Sequence, residues 1–188
     1  LQKIVDFYLF HCPCEIEKGT KKKGTKTYAK ISMRASTLRM RGWTGGHLNT
    51  LLAAMKQTSS NHLEYHPFEG GKDIINETVN IEKSTSMSDK HFEMIVFSKR
   101  SDMNLTSSIF YYIRNALAHG AFSVVSDKAR KIYYLESAKD GVVKARIRLN
   151  EETLLKWIKD FALSPSVLRN NLKKNRQNKK RISKKVAA

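Results

Sequence analysis

The strongest constraint on the fold is one long apolar-periodic segment, Leu105 to His119, closed by Gly120. Leu105, Ile109, Ile113 and Leu117 recur at helical spacing, with Ala116 beside them, so one stripe has to be buried against a core. The spacing predicts a helix from Asp102 or Asn104 to His119, and Gly120 suits the position just past a helix end. On the last two turns stand Arg114, Asn115 and His119. Asn115 and His119 are four apart and share a face, whereas Arg114 and His119 project about 140° from each other. One straight helix does not focus that pair on a point. Either the long Arg side chain sweeps round to the helix end, or a second copy of the helix supplies the missing group across a two-fold axis. The ordinary role of an Arg and a His at this end of a helix is to offset the negative end of its dipole.

The rest of the chain reads less sharply. Residues 1–12 suit a helix or a strand. The stretch Lys18 to Arg34 reads as a mobile loop with a short extended piece over Thr27–Met33. Helices are expected over 46–57 and over Asp73–Glu82, with a break between Pro67 and Gly71. Residues 88–99 stay ambiguous between helix and strand. After Gly120 the period changes to two, and Phe122–Ser126, Lys131–Ser137 and Val142–Leu149 read as a three-stranded meander. In the third run Val143, Ala145, Ile147 and Leu149 share one face, and Lys144, Arg146 and Arg148 share the other. That basic ridge is either a solvated outer face or an RNA contact. Asn150-Glu151-Glu152 then opens a helix with an N-cap and two first-turn acids, and Ser164-Pro165 ends it.

Charge divides the chain of 188 residues into a neutral body and two basic arms. Of the net charge of +18, nearly all comes from Glu17–Arg41, with nine Lys or Arg and one acid, and Arg169–Lys185, with nine and none. Such arms are handles for polyanions, nucleic acid foremost. The expected organisation is one domain over 1–168 with a basic loop at 17–42, followed by a tail at 169–188 that is disordered or contacts RNA. No run of eighteen apolar residues occurs, so no membrane span is expected. The apolar start Leu1–Phe10 is short and carries Asp6, which suits a core element better than a signal peptide. Cys12 and Cys14 lie too close for a disulfide framework, which points to a reduced, cytoplasmic setting. With His11 they form at most half a metal site, and the His62/His66 pair lacks the Glu of a zincin. No metal or other cofactor is expected.

The composite Arg114-Asn115-x-x-x-His119-Gly120, at the end of an apolar helix, resembles the signature of the HEPN superfamily, an Arg followed after four to six residues by a His. The similarity runs loosely from Leu105 to Phe161. It implies a bundle of about four helices; with the meander read after the signature helix, the expected fold is mainly α (α+β), a helical bundle with a small antiparallel β-meander inserted, a departure that makes the chain a divergent member. It also implies a metal-independent endoribonuclease acting as a homodimer, in which the ribose 2′-OH attacks its own 3′ phosphorus and leaves a 2′,3′-cyclic phosphate. His119 is then the acid–base group, because imidazole is the side chain suited to moving protons near neutral pH. Arg114 clamps the non-bridging oxygens, and Asn115 orients His119 or the ribose. Tyr112 lies about 20° around the helix from His119. It either stacks on a base or serves packing and the dimer seam. Lys144, Arg146 and Arg148 would contact RNA. Similar proteins are often bacterial toxins or antiviral effectors, sometimes restrained by an inhibitory antitoxin or regulatory partner. Two rivals remain: a non-catalytic RNA-binding module of the same shape, and a basic DNA-binding or ribosome-associated protein in which the motif is accidental.

Overall fold

Five strands, not a bundle of helices, form the middle of the molecule. The computed structural model describes residues 1–12, 15–22, 25–32, 43, 46–58, 63–69, 73–85, 92–100, 103–127 and 130–186. A short helix α1 (Gln2–Asp6) runs into a π-helical turn, Phe7–His11. Strands β1 (Glu15–Lys22) and β2 (Thr25–Ser32) pair antiparallel as a separate ribbon. Then follow α2 (His47–Thr58), β3 (Leu63–Phe68), α3 (Ile74–Thr85), β4 (Glu93–Ser98) and α4 (Leu105–Ala118). The chain closes with β5 (Phe122–Asp127), β6 (Arg130–Lys139), β7 (Val142–Asn150), α5 (Glu151–Ala162) and α6 (Pro165–Val186). The large sheet has the order β3-β4-β7-β6-β5; β3 and β4 are parallel and the other pairs antiparallel.

This corrects the expected fold. The meander after the signature helix forms, but it is three-fifths of a mixed sheet that also holds two strands from before that helix. The reason lies in β4. Nearly all of Glu93–Ser98 is buried, because helices cover both of its faces. A strand buried on both sides loses the period-two pattern and reads as an undecided apolar run. β3 was hidden by Pro67, which an edge strand tolerates because its outer side needs no N–H donor. The parallel β3–β4 pair needs a crossover, and α3 provides it.

The two faces of the sheet bury different helices. Ile95, Phe97, Tyr133, Leu135, Ala145, Ile147 and Leu149 face the main core with α4 and residues of α1, α2, α5 and α6. Ile74, Phe92, Met94 and Val96 form a smaller cluster under α3 on the opposite face. α4 is the centre of the main core. The Asn104 side chain accepts from the Ser107 N–H at 2.9 Å and caps the helix start. Its buried hydroxyls are satisfied too: Thr106 donates to the Leu48 carbonyl at 2.7 Å and Ser108 to that of Asn104 at 3.0 Å. Phe110 stacks on Tyr8 with centroids 5.9 Å apart and lies 6.3 Å from both Phe7 and Phe161.

The last basic arm is helical where it is described. α6 begins at Pro165, and Leu168 and Leu172 are both buried in the main core. They dock its first two turns onto the domain. Cys14, His62 and the 33–42 half of the basic loop lie outside the described residues. Among the described residues no helix is long and apolar enough to cross a membrane. Phe110→Ala removes the ring on which α4 packs. It is expected to cost about 3–5 kcal/mol, read as a lower urea midpoint at unchanged slope. A loss under about 1 kcal/mol would place the centre of the core elsewhere.

Candidate functional site

The end of α4 is built by a Schellman motif. His119 is the C-cap, Gly120 adopts φ +66°, and the Ala121 N–H reaches back to the Ala116 carbonyl at 2.8 Å. The Gly120 N–H donates to the Leu117 carbonyl at 3.3 Å, completing the pair of bonds that defines the motif. Gly120 is therefore where the sequence expects it, and for the expected reason.

This closure fixes where the three signature residues go. Eight positions of α4 are buried. Its accessible side is a narrow stripe, Ser107, Tyr111, Arg114 and Ala118, with Asn115 beside it. The Arg114 Nη1 donates to Asn115 Oδ1 at 3.5 Å, a weak contact at the outer limit for a hydrogen bond. The Arg114 Nε is buried and has no hydrogen-bond partner among the described residues. His119 is exposed, and its backbone N–H donates to the Asn115 carbonyl at 3.0 Å. So the fold brings Arg114 and Asn115 side by side. It holds the His119 imidazole one turn further on, in solvent, with no hydrogen bond to either side chain among the described residues. Within one chain, Arg and His do not converge.

Asn115 lines a cavity of about 150 Å³ at this end of the sheet. The end of β4 contributes Ser98, Lys99 and Arg100; α4 contributes Tyr111, Tyr112 and Asn115; the β6–β7 hairpin contributes Ser137, Ala138, Lys139 and Lys144. Tyr112 is buried, and its hydroxyl donates to the Ser98 carbonyl at 2.7 Å. It therefore ties β4 to α4 and makes the cavity wall, rather than offering a face to a base. The Arg100 guanidinium sits 4.6 Å from the centre of the Tyr111 ring. Lys144 arrives by a register shift. Ser137 pairs with Ala145 and Ala138 with Val143, so Lys144 is the extra residue of a bulge. Bulges commonly re-aim a side chain in this way.

The basic ridge expected on β7 is thereby divided. Lys144 lines the cavity of Asn115, while Arg146 and Arg148 line a larger one of about 370 Å³ that also includes Thr78 and Glu82 of α3. Arg146 Nε is 2.8 Å from Glu136 Oε2. The Arg148 guanidinium lies over the Phe92 ring at 4.4 Å and 5.3 Å from Tyr134. The larger cavity sets two guanidiniums against the carboxylates of Glu82 and Glu136, so its charge balances. Among the described residues the smaller one has four cations and no carboxylate in its lining, and it contains a signature residue. That makes the smaller cavity the better candidate for an anionic ligand. Lys99, Arg100 and Lys139 carry no sequence signal of their own. Only the pairing of β4 with β7, and of β6 with β7, places them around Asn115.

Among the described residues no group of three or more His, Cys, Asp or Glu is placed to hold a metal ion. Cys12 is buried in the core. His66 is 3.1 Å from Glu64 and stacks on Phe68. Comparison of the chain with protein-family models, with curated proteins and with solved structures returns no match.

Gly120→Ala tests the closure that sets the position of His119. A Cβ there meets nothing within 4 Å, so the cost is the backbone's alone. About 1–2 kcal/mol of stability is expected to go, measured by urea denaturation. An unchanged midpoint would mean that the left-handed turn is not required.

Proposed function

We propose that the end of α4 cleaves RNA by the reaction its resemblance to the HEPN signature implies, the resemblance being carried by this helix and not by the bundle expected around it. The ribose 2′-oxygen bonds to the adjacent phosphorus, the 5′-oxygen of the next nucleotide leaves, and the products are a 2′,3′-cyclic phosphate and a 5′-hydroxyl. His119 moves the proton at one of these oxygens, a role open to an exposed imidazole at near-neutral pH. Arg114 stabilises the charge that builds on the phosphorane oxygens through its planar fork of donors. Asn115 holds that fork from the neighbouring position. No step of this reaction calls on a metal or another cofactor.

The observation that carries the reading is the pairing of Arg114 with Asn115 beside a cavity lined by Lys99, Arg100, Lys139 and Lys144, one turn from an exposed His119. Proton transfer at two oxygens wants an acid and a base, and one chain brings one imidazole to this helix end. A second copy supplies the other. The accessible stripe Ser107, Tyr111, Arg114 and Ala118 has the 3.6-residue spacing of a helix–helix seam, and Arg114 lies on it. A homodimer packed along this stripe would bring the His119 of each chain toward the Arg114 of its mate. In the cell this fits an effector of bacterial toxin or antiviral type, restrained by an inhibitory or regulatory partner and working in the cytoplasm.

The test is cleavage of a labelled mixed-sequence RNA in EDTA. Wild type is expected to cut, and His119→Ala and Arg114→Ala are each expected to be slower by about 10²–10⁴-fold with dimer retained. Tight, salt-sensitive binding by all three proteins without cutting would favour a non-catalytic RNA-binding module. Equal cutting by all three would remove His119 and Arg114 from the reaction.

A further inference from the structure

We propose that the cavity over Asn115 is a subsite for one backbone phosphate of a single-stranded RNA, next to the phosphate that is cut. The proposal rests on the reaction assigned to α4 and says where its substrate is held. Lys99, Arg100, Lys139 and Lys144 come to one cavity from three separate segments, and among the described residues no carboxylate lines it. Like charges gathered this way repel, and an anion in their midst reverses the sign of the interaction. The ion pair of Lys99 with Glu69, at 3.0 Å, does not compensate, because Glu69 is 86 % exposed and the contact is largely screened.

Two of the cations are aimed by the fold rather than left loose. Arg100 is held over the Tyr111 ring, and Lys144 is turned by the bulge in β7. Size selects the ligand further. At about 150 Å³ the cavity is smaller than the about 300–1,000 Å³ of sites that enclose a drug-sized molecule. It suits a phosphate with part of its ribose, and not a whole nucleotide. Asn115 links it to the chemistry. With Oδ1 turned to Arg114, the amide N–H₂ is the end left for a phosphate oxygen or a 2′-hydroxyl. A strand anchored here lies one residue from Arg114 and one helical turn from His119.

The experiment uses the full chain carrying His119→Ala, so that binding is read without cutting. Affinity for a single-stranded oligoribonucleotide is measured over a series of salt concentrations, with and without Lys139→Gln and Lys144→Gln. Losing one phosphate contact makes the slope of log affinity against log salt shallower by about 0.7. The control removes equal charge from exposed positions elsewhere, Lys83→Gln with Lys159→Gln, and is expected to leave the slope unchanged. An unchanged slope in the cavity variant, or an equal change in the control, overturns the subsite. The two claims separate cleanly. Cutting by wild type with no slope change removes the subsite and leaves the reaction. A shallower slope for the cavity variant, with no cutting by wild type, keeps the subsite and removes the reaction.

Discussion

The structure depends on the burial of α4 between a sheet and a shell of helices. Ile109, Phe110, Ile113, Ala116 and Leu117 all lie in the main core. Burial of this kind contributes roughly 1.5–3 kcal/mol for each large side chain, and among the described residues no other helix has as many buried positions. The consequence is functional as well as structural. A helix so enclosed keeps only one stripe for other work, and on that stripe stands Arg114. The Schellman closure then ends the helix at a fixed residue, so that His119 leaves the core at the same point where the chain turns into β5.

The sheet decides what surrounds that helix end. β4 and the β6–β7 hairpin bring Lys99, Arg100, Lys139 and Lys144 to Asn115, although these residues are spread over some 45 positions of sequence. In a bundle with a peripheral meander, β4 would not be there to deliver the first two. The larger sheet is thus what makes the surroundings of the signature residues cationic. The same sheet turns Arg146 and Arg148 toward the second cavity, where Glu136 and the Phe92 and Tyr134 rings engage them.

Legibility in the sequence followed how one-sided each element is. α4, α5, β6 and β7 each bury one face, and their periods of 3.6 and 2 place them to within a few residues. β4 buries both faces and showed no period. β3 was concealed by Pro67 at a sheet edge and β1 by a Lys- and Gly-rich composition that reads as loop, whereas the extended piece expected from Thr27 overlaps β2. Among the described residues α6 buries Leu168 and Leu172 in an otherwise basic run, too thin a pattern to announce a docked helix. Of the site, Arg114, Asn115, His119 and Gly120 were legible because all lie on one local motif. The cavity was not, because Lys99, Arg100, Lys139 and Lys144 meet only through strand pairing and a bulge. The alternation of Lys144 with Arg146 and Arg148 suggested one ridge, and a one-residue register shift separates the first from the other two.

The most direct measurement offers the protein a DNA oligonucleotide that contains a single ribonucleotide. If the end of α4 acts by 2′-hydroxyl attack, the strand is cut once, 3′ to the ribose, with a cyclic phosphate on the product, and His119→Ala loses that cut. Cutting at deoxyribose positions, undiminished cutting by His119→Ala, or no cutting of any ribose-containing strand would contradict the assignment.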